Sequence, residues 1–132
     1  METNLKFNSA ICTSREQSER LLSLGLKKET ADMMYCKTAS GEFITAKDDD
    51  YLEHLDIPTW SLNRLIEMMP SFIDIGEHNY MFSIIQGKLF SYGSGIAGNA
   101  FLYGKGSVYD SAIYTIEWLI KEGYFNKEYL EE

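Results

Sequence analysis

The stretch Phe72-Ile73-Asp74-Ile75-Gly76-Glu77-His78-Asn79-Tyr80-Met81-Phe82-Ser83-Ile84-Ile85-Gln86-Gly87-Lys88-Leu89-Phe90-Ser91-Tyr92 decides the fold. Three runs rich in aromatic and β-branched residues are parted by Gly76-Glu77-His78-Asn79 and by Gln86-Gly87, connections too short for a crossover helix. Such side chains fit a pleated, half-buried surface, and short Gly-containing links join antiparallel neighbours. The stretch reads as a three-stranded meander. Just beyond it, residues 93–106 hold five of the ten glycines around Ala100-Phe101-Leu102-Tyr103, a long loop carrying a candidate fourth strand.

Toward the C-terminus, Val108 to Glu122 place Ala112, Ile113, Ile116, Leu119 and Ile120 on one side of a helix that Gly123 ends. Tyr124-Phe125 and Tyr129-Leu130 are expected to pack back on the body. Toward the N-terminus, Leu62, Leu65, Ile66 and Met69 fall at i, i+3, i+4 and i+7, one apolar stripe of a helix capped by Thr59 or Ser61 and ended by Pro70. Residues 46–60 interrupt the apolar pattern and read as a loop, with Pro58 biasing Ile57 away from helical geometry. Met33 to Thr38 and Phe43-Ile44-Thr45 form a hairpin around Ser40-Gly41. A first helix starts at Thr13 or Ser14, with Glu16 or Gln17 completing a capping box, and stops at Gly25 with Leu26 folding back on Leu21. Helices segregated between strand clusters indicate an α+β fold: a mainly antiparallel sheet, a hairpin plus a three- or four-stranded meander, packed by three helices in one domain spanning 1–132.

The chain has 132 residues, with 12 Lys+Arg against 20 Asp+Glu and a net charge of -8, which argues against binding nucleic acid by general phosphate attraction. No apolar run approaches the roughly 20 residues of a membrane span. The opening METNLKFNSAICTSREQSER has no cationic, apolar and small-residue succession of a secretory signal. Cys12 and Cys36 are too far apart for a C-x-x-C pair, so two buried free thiols in a reducing cytoplasm are expected, with a Cys12–Cys36 disulfide as the alternative.

Gly93-Ser94-Gly95-Ile96-Ala97-Gly98 matches the dinucleotide pattern G-x-G-x-x-G letter for letter. That pattern works only between a strand and a helix in a βαβ unit, and neither neighbour fits. The acidic run Asp48-Asp49-Asp50, with Glu53 and Asp56, puts five carboxylates into nine residues without the order of a calcium loop. His54 and His78 are too few and too distant for zinc, no base is placed for Cys12, and no hydrolase, kinase or phosphate-loop motif occurs. Trp60 and Trp118 read as packing residues. Tyr80, Tyr92, Phe101 and Tyr103 would make an aromatic surface beside the glycines.

Three stretches carry a resemblance: Thr13-Ser14-Arg15-Glu16-Gln17-Ser18 through Leu24-Gly25-Leu26 and Thr30-Ala31-Asp32-Met33; Pro58-Thr59-Trp60-Ser61-Leu62 through Met69-Pro70; and Glu117-Trp118-Leu119-Ile120-Lys121-Glu122-Gly123-Tyr124. In that order they resemble a family of small uncharacterised proteins from phage-like and other mobile elements of gut anaerobes. The resemblance implies a cytoplasmic accessory protein of a mobile element. It brings no activity, cofactor or catalytic residue with it, and the Gly-rich segment lies outside it.

Two functions are in view. In the first, the chain binds a basic protein partner through Asp48, Asp49, Asp50, Glu53 and Asp56, for instance as an acidic decoy. Its support is charge asymmetry: the first thirty residues hold five basic and four acidic residues, the remainder seven and sixteen. In the second, Gly93, Gly95, Gly98, Tyr92 and Tyr103 form a ligand or enzyme site with a concave pocket. A homodimer is a secondary expectation. The absence of a catalytic, metal or cofactor motif favours the first.

Overall fold

A computed structural model describes residues 10–38, 41–46 and 56–132. Helix α1 spans Arg15–Ser23, α2 Leu62–Glu67 and α3 Val108–Glu122. Strands β1 Met33–Thr38, β2 Gly41–Ala46 and β3 Asp56–Thr59 form one antiparallel sheet in the order β2-β1-β3. Strands β4 Phe72–Ile75, β5 His78–Ile85, β6 Leu89–Ser94 and β7 Gly98–Tyr103 form a second, in the order β4-β5-β6-β7. The α+β architecture with antiparallel sheets follows the sequence pattern, divided into two sheets. No helix among the described residues is long and apolar enough to cross a membrane.

Three local expectations are corrected. Residues 56–59, read as loop, are a strand on the edge of the first sheet, with Pro58 opposite Met34. An edge strand tolerates proline because the missing N–H would face away from the ladder. The turn between β4 and β5 uses only Gly76-Glu77, and His78 and Asn79 are already strand. The stretch read as a long glycine-rich loop is mostly hairpin: β6 runs on through Ser94 and β7 begins at Gly98.

The helix stops and starts are local chemistry. At the end of α1, Gly25 takes φ 100°, its N–H bonds Leu22 O at 3.0 Å, and Leu26 N–H bonds Leu21 O at 3.3 Å. This is the paired closing pattern that a left-handed residue permits, and it turns both leucines into the core. α2 begins where Ser61 accepts from Arg64 N–H while its own N–H and hydroxyl bond Asp32. It is shorter than its apolar stripe suggested, because Met68 already caps it.

The core lies between the inner face of the four-stranded sheet and the helices. Leu65 of α2, Ile116 and Leu119 of α3, and Phe90 and Tyr92 of β6 are fully buried there, with Trp60 beside them. Trp60 ties three segments together: its indole N–H bonds Thr30 Oγ1, its backbone N–H bonds Thr13 Oγ1, and its carbonyl accepts from Thr13 N–H. Cys12 and Cys36 are both buried and form no disulfide.

Candidate functional site

α1 and α3 lie side by side, and the groove between them is closed by the end of β7. Along α3, Asp110, Ile113, Tyr114 and Glu117 recur at i, i+3, i+4 and i+7, so one face of the helix presents them together. Glu16, Gln17 and Arg20 of α1 and Tyr103 of β7 complete a cleft of about 290 Å3.

Its geometry is fixed from both ends. Ser14 and Gln17 form a capping box at the start of α1, and Ser107 and Asp110 form one at the start of α3. The two are joined, because the Gln17 amide donates from Nε2 to Asp110 Oδ1 at 2.9 Å while its Oε1 accepts from Ser14 N–H. At the other end Arg20 Nη2 pairs with Glu117 Oε1 at 2.5 Å. The Tyr103 and Tyr114 rings form the aromatic wall, stacked with centroids 3.9 Å apart and 13° from parallel. Tyr114 remains 46% exposed. The hydrogen bond from Gln17 and the Ser107 backbone N–H hold the Asp110 carboxyl below the usual carboxylate range, so it is charged at neutral pH. Three carboxylates against one guanidinium leave the cleft net acidic.

A larger hollow of about 570 Å3 beside α2, lined by Lys27 and Arg64 with Glu29, Glu67, Glu128 and Glu131, has the same acidic excess but no stacked pair of rings in its wall. Among the described residues no group of three or more His, Cys, Asp or Glu is placed to hold a metal ion.

Of the residues singled out in the sequence, some lie outside the described residues and the others do not form one site. Asp48, Asp49, Asp50 and Glu53 lie outside the described residues, as does His54, and Asp56 opens β3. Gly93, Gly95 and Gly98 sit in the β6–β7 hairpin and line none of the cavities described above. Two of them have structural reasons. A Cβ on Gly93 would stand 2.7 Å from Asn99 Oδ1, and Gly98 has φ 81° at the end of a three-residue turn. Tyr92 is fully buried, with its hydroxyl donating to Pro70 O at 2.7 Å, which removes it from any ligand loop. Burial pushes its phenol well above the ordinary range. Of the five, only Tyr103 reaches a cavity, and that cavity is the α1–α3 cleft. The aromatic surface expected from Tyr80, Tyr92 and Phe101 is likewise buried; those rings point inward.

The remaining cleft residues escaped the sequence reading because two helices far apart in the chain supply them. The spacing Ser107-x-x-Asp110 and the stripe 110, 113, 114, 117 were the available signals.

No family model matches the chain, and no curated protein or solved structure shows significant similarity to it.

Proposed function

We propose that the chain is a protein-interaction module that seats a basic side chain of its partner in the α1–α3 cleft. The observation that supports this is the convergence of Glu16, Asp110 and Glu117 on a stacked tyrosine pair within one concave site. Carboxylates form charge-assisted bonds to a guanidinium or ammonium, and an exposed tyrosine face adds cation–π attraction. Arginine fits this surroundings better than lysine, because a planar guanidinium can stack on Tyr114 while its edge meets carboxylates. Gln17 and Arg20 hold two of the acids in place beforehand, which lowers the cost of ordering them on binding. The net charge of -8 draws a basic partner in from a distance. In the setting the sequence resemblance implies, this is a cytoplasmic accessory protein of a mobile element, and the acids between Asp48 and Asp56 add to the same field.

Calorimetric titration with oligo-arginine and oligo-lysine peptides tests the reading. Binding should favour arginine, weaken about tenfold in Tyr114→Ala and in Glu16→Gln, and weaken again when salt rises from about 50 to 300 mM. Affinity that follows salt but ignores both substitutions would mean diffuse charge attraction, and the cleft would lose its role.

A further inference from the structure

The four-stranded sheet has a second face, turned away from the core, with no element of the described chain packed on it. Strand alternation puts Phe72, Met81, Ile85 and Leu102 there, at 53%, 56%, 44% and 50% exposure. Phe72 lies directly opposite Met81 and Ile85 opposite Leu89, while Ser83, Ser91 and Gly93 stand between these pairs and Leu102. Exposed apolar area gathered on one face marks an interaction surface.

We infer that this face is where two copies of the chain meet, sheet against sheet, in a transient homodimer. Charge selects the occupant. Asp74 is the only charged residue on this side of the strands, and it sits on the edge strand with Oδ1 bonded by Asn79 Nδ2 at 2.8 Å. Two chains of charge -8 repel each other across most of their surfaces, and a face with a single carboxylate, at its edge, repels its copy least. A basic partner has no reason to choose it. Area sets the strength: four strands about 4.8 Å apart and about six residues long offer on the order of 400 Å2, near half of what each partner gives a standard stable interface. The pair is therefore weak. Two such faces pack about 10 Å apart with strands within about 30° of alignment, as in a sandwich, with Met81 and Leu102 of each copy on either side of the small residues Ser91 and Gly93.

Salt separates this association from binding in the acidic cleft. Screening relieves the repulsion between like-charged copies, so salt strengthens the dimer while it weakens capture of a basic ligand. Sedimentation velocity from about 5 to 500 µM, at about 50 and 500 mM salt, should show a monomer turning into dimer with concentration, and at lower concentration in the higher salt. Met81→Glu and Leu102→Glu, both at exposed positions and checked for folding by circular dichroism, should each weaken dimerisation at least about tenfold. A chain that stays monomeric throughout overturns the inference, as does a dimer indifferent to both substitutions. A monomer that floats with phosphatidylcholine vesicles would assign the face to lipid and overturn it equally.

Discussion

Gln17 and Asp110, each the third residue of its helix and 93 positions apart in the chain, are hydrogen-bonded at 2.9 Å. One amide therefore serves its own helix start and reaches the next, so the caps of α1 and α3 form a single network. Gln17→Ala and Asp110→Ala should each cost about 1 kcal/mol in urea unfolding, as lost capping interactions do. The double variant should cost less than the sum by about 0.5 kcal/mol or more, because the shared bond can be lost only once. Strict additivity would dissolve the network into two independent caps.

The same carboxylate gives a pH dependence of known sign. The Gln17 amide first, then the Ser107 backbone, hold Asp110 below its ordinary range, so the folded chain favours the charged form more than the unfolded chain does. Its contribution is complete above the unfolded value of about 4 and is lost as pH falls through the lower folded value. The stability gap between the native chain and Asp110→Asn should be constant from about pH 8 to 5 and close below about pH 4. A gap that opens in acid would reverse the assignment.

Glycines of the hairpin region should separate by packing and not by any shared ligand role. A Cβ on Gly104 would stand 2.2 Å from Leu89 Cδ2, and 3.2 Å from the Leu89 Cα, so Gly104→Ala should cost about 1–3 kcal/mol by thermal unfolding. Gly95 has open space around it and an ordinary φ, so Gly95→Ala should stay within about 0.5 kcal/mol of the native chain. Equal penalties at the two positions would contradict this account.

One residue pays a conformational penalty that a substitution can remove. Gln86 adopts φ 55° in the turn between β5 and β6, a left-handed geometry that costs a side chain such as glutamine roughly 1 kcal/mol. Asparagine adopts it more readily, so Gln86→Asn should raise the unfolding midpoint by a few degrees, the equivalent of about 0.5 kcal/mol. A lower midpoint would show that the Gln86 side chain holds the turn by some other means.

The meander was legible in the sequence because its turns and aromatic content belong to neighbours in the chain. Which face of it was buried was not. Phe72-Ile73, Met81-Phe82, Leu89-Phe90 and Phe101-Leu102 each put apolar residues on both faces, so alternation gave a register without a sign. Only the docking of α3 turned Phe82, Phe90 and Phe101 inward and left Phe72, Met81 and Leu102 outside. β3 was missed for a related reason: it is short, contains Pro58 and owes its strand geometry to β1 alone. The capping serine of α1 was visible as one of two choices. The structure selects Ser14, while Thr13 turns inward to Ser18 and Trp60. The cleft could not be read from neighbours at all, since Tyr103, Asp110 and Arg20 meet only after both helices and the second sheet have assembled.

Rings run without interruption from the cleft wall into the core: Tyr103 on Tyr114, Tyr114 near Phe101, Phe101 at 4.8 Å from Trp118, and Trp118 at 6.0 Å from Tyr92. Aromatic groups this close exchange excitation energy, and tryptophan, with the lowest excited state among them, collects it. Light absorbed at Tyr114 would then be read at tryptophan, so a cation bound over the cleft tyrosines, as proposed, would be followed through tryptophan emission with no label attached.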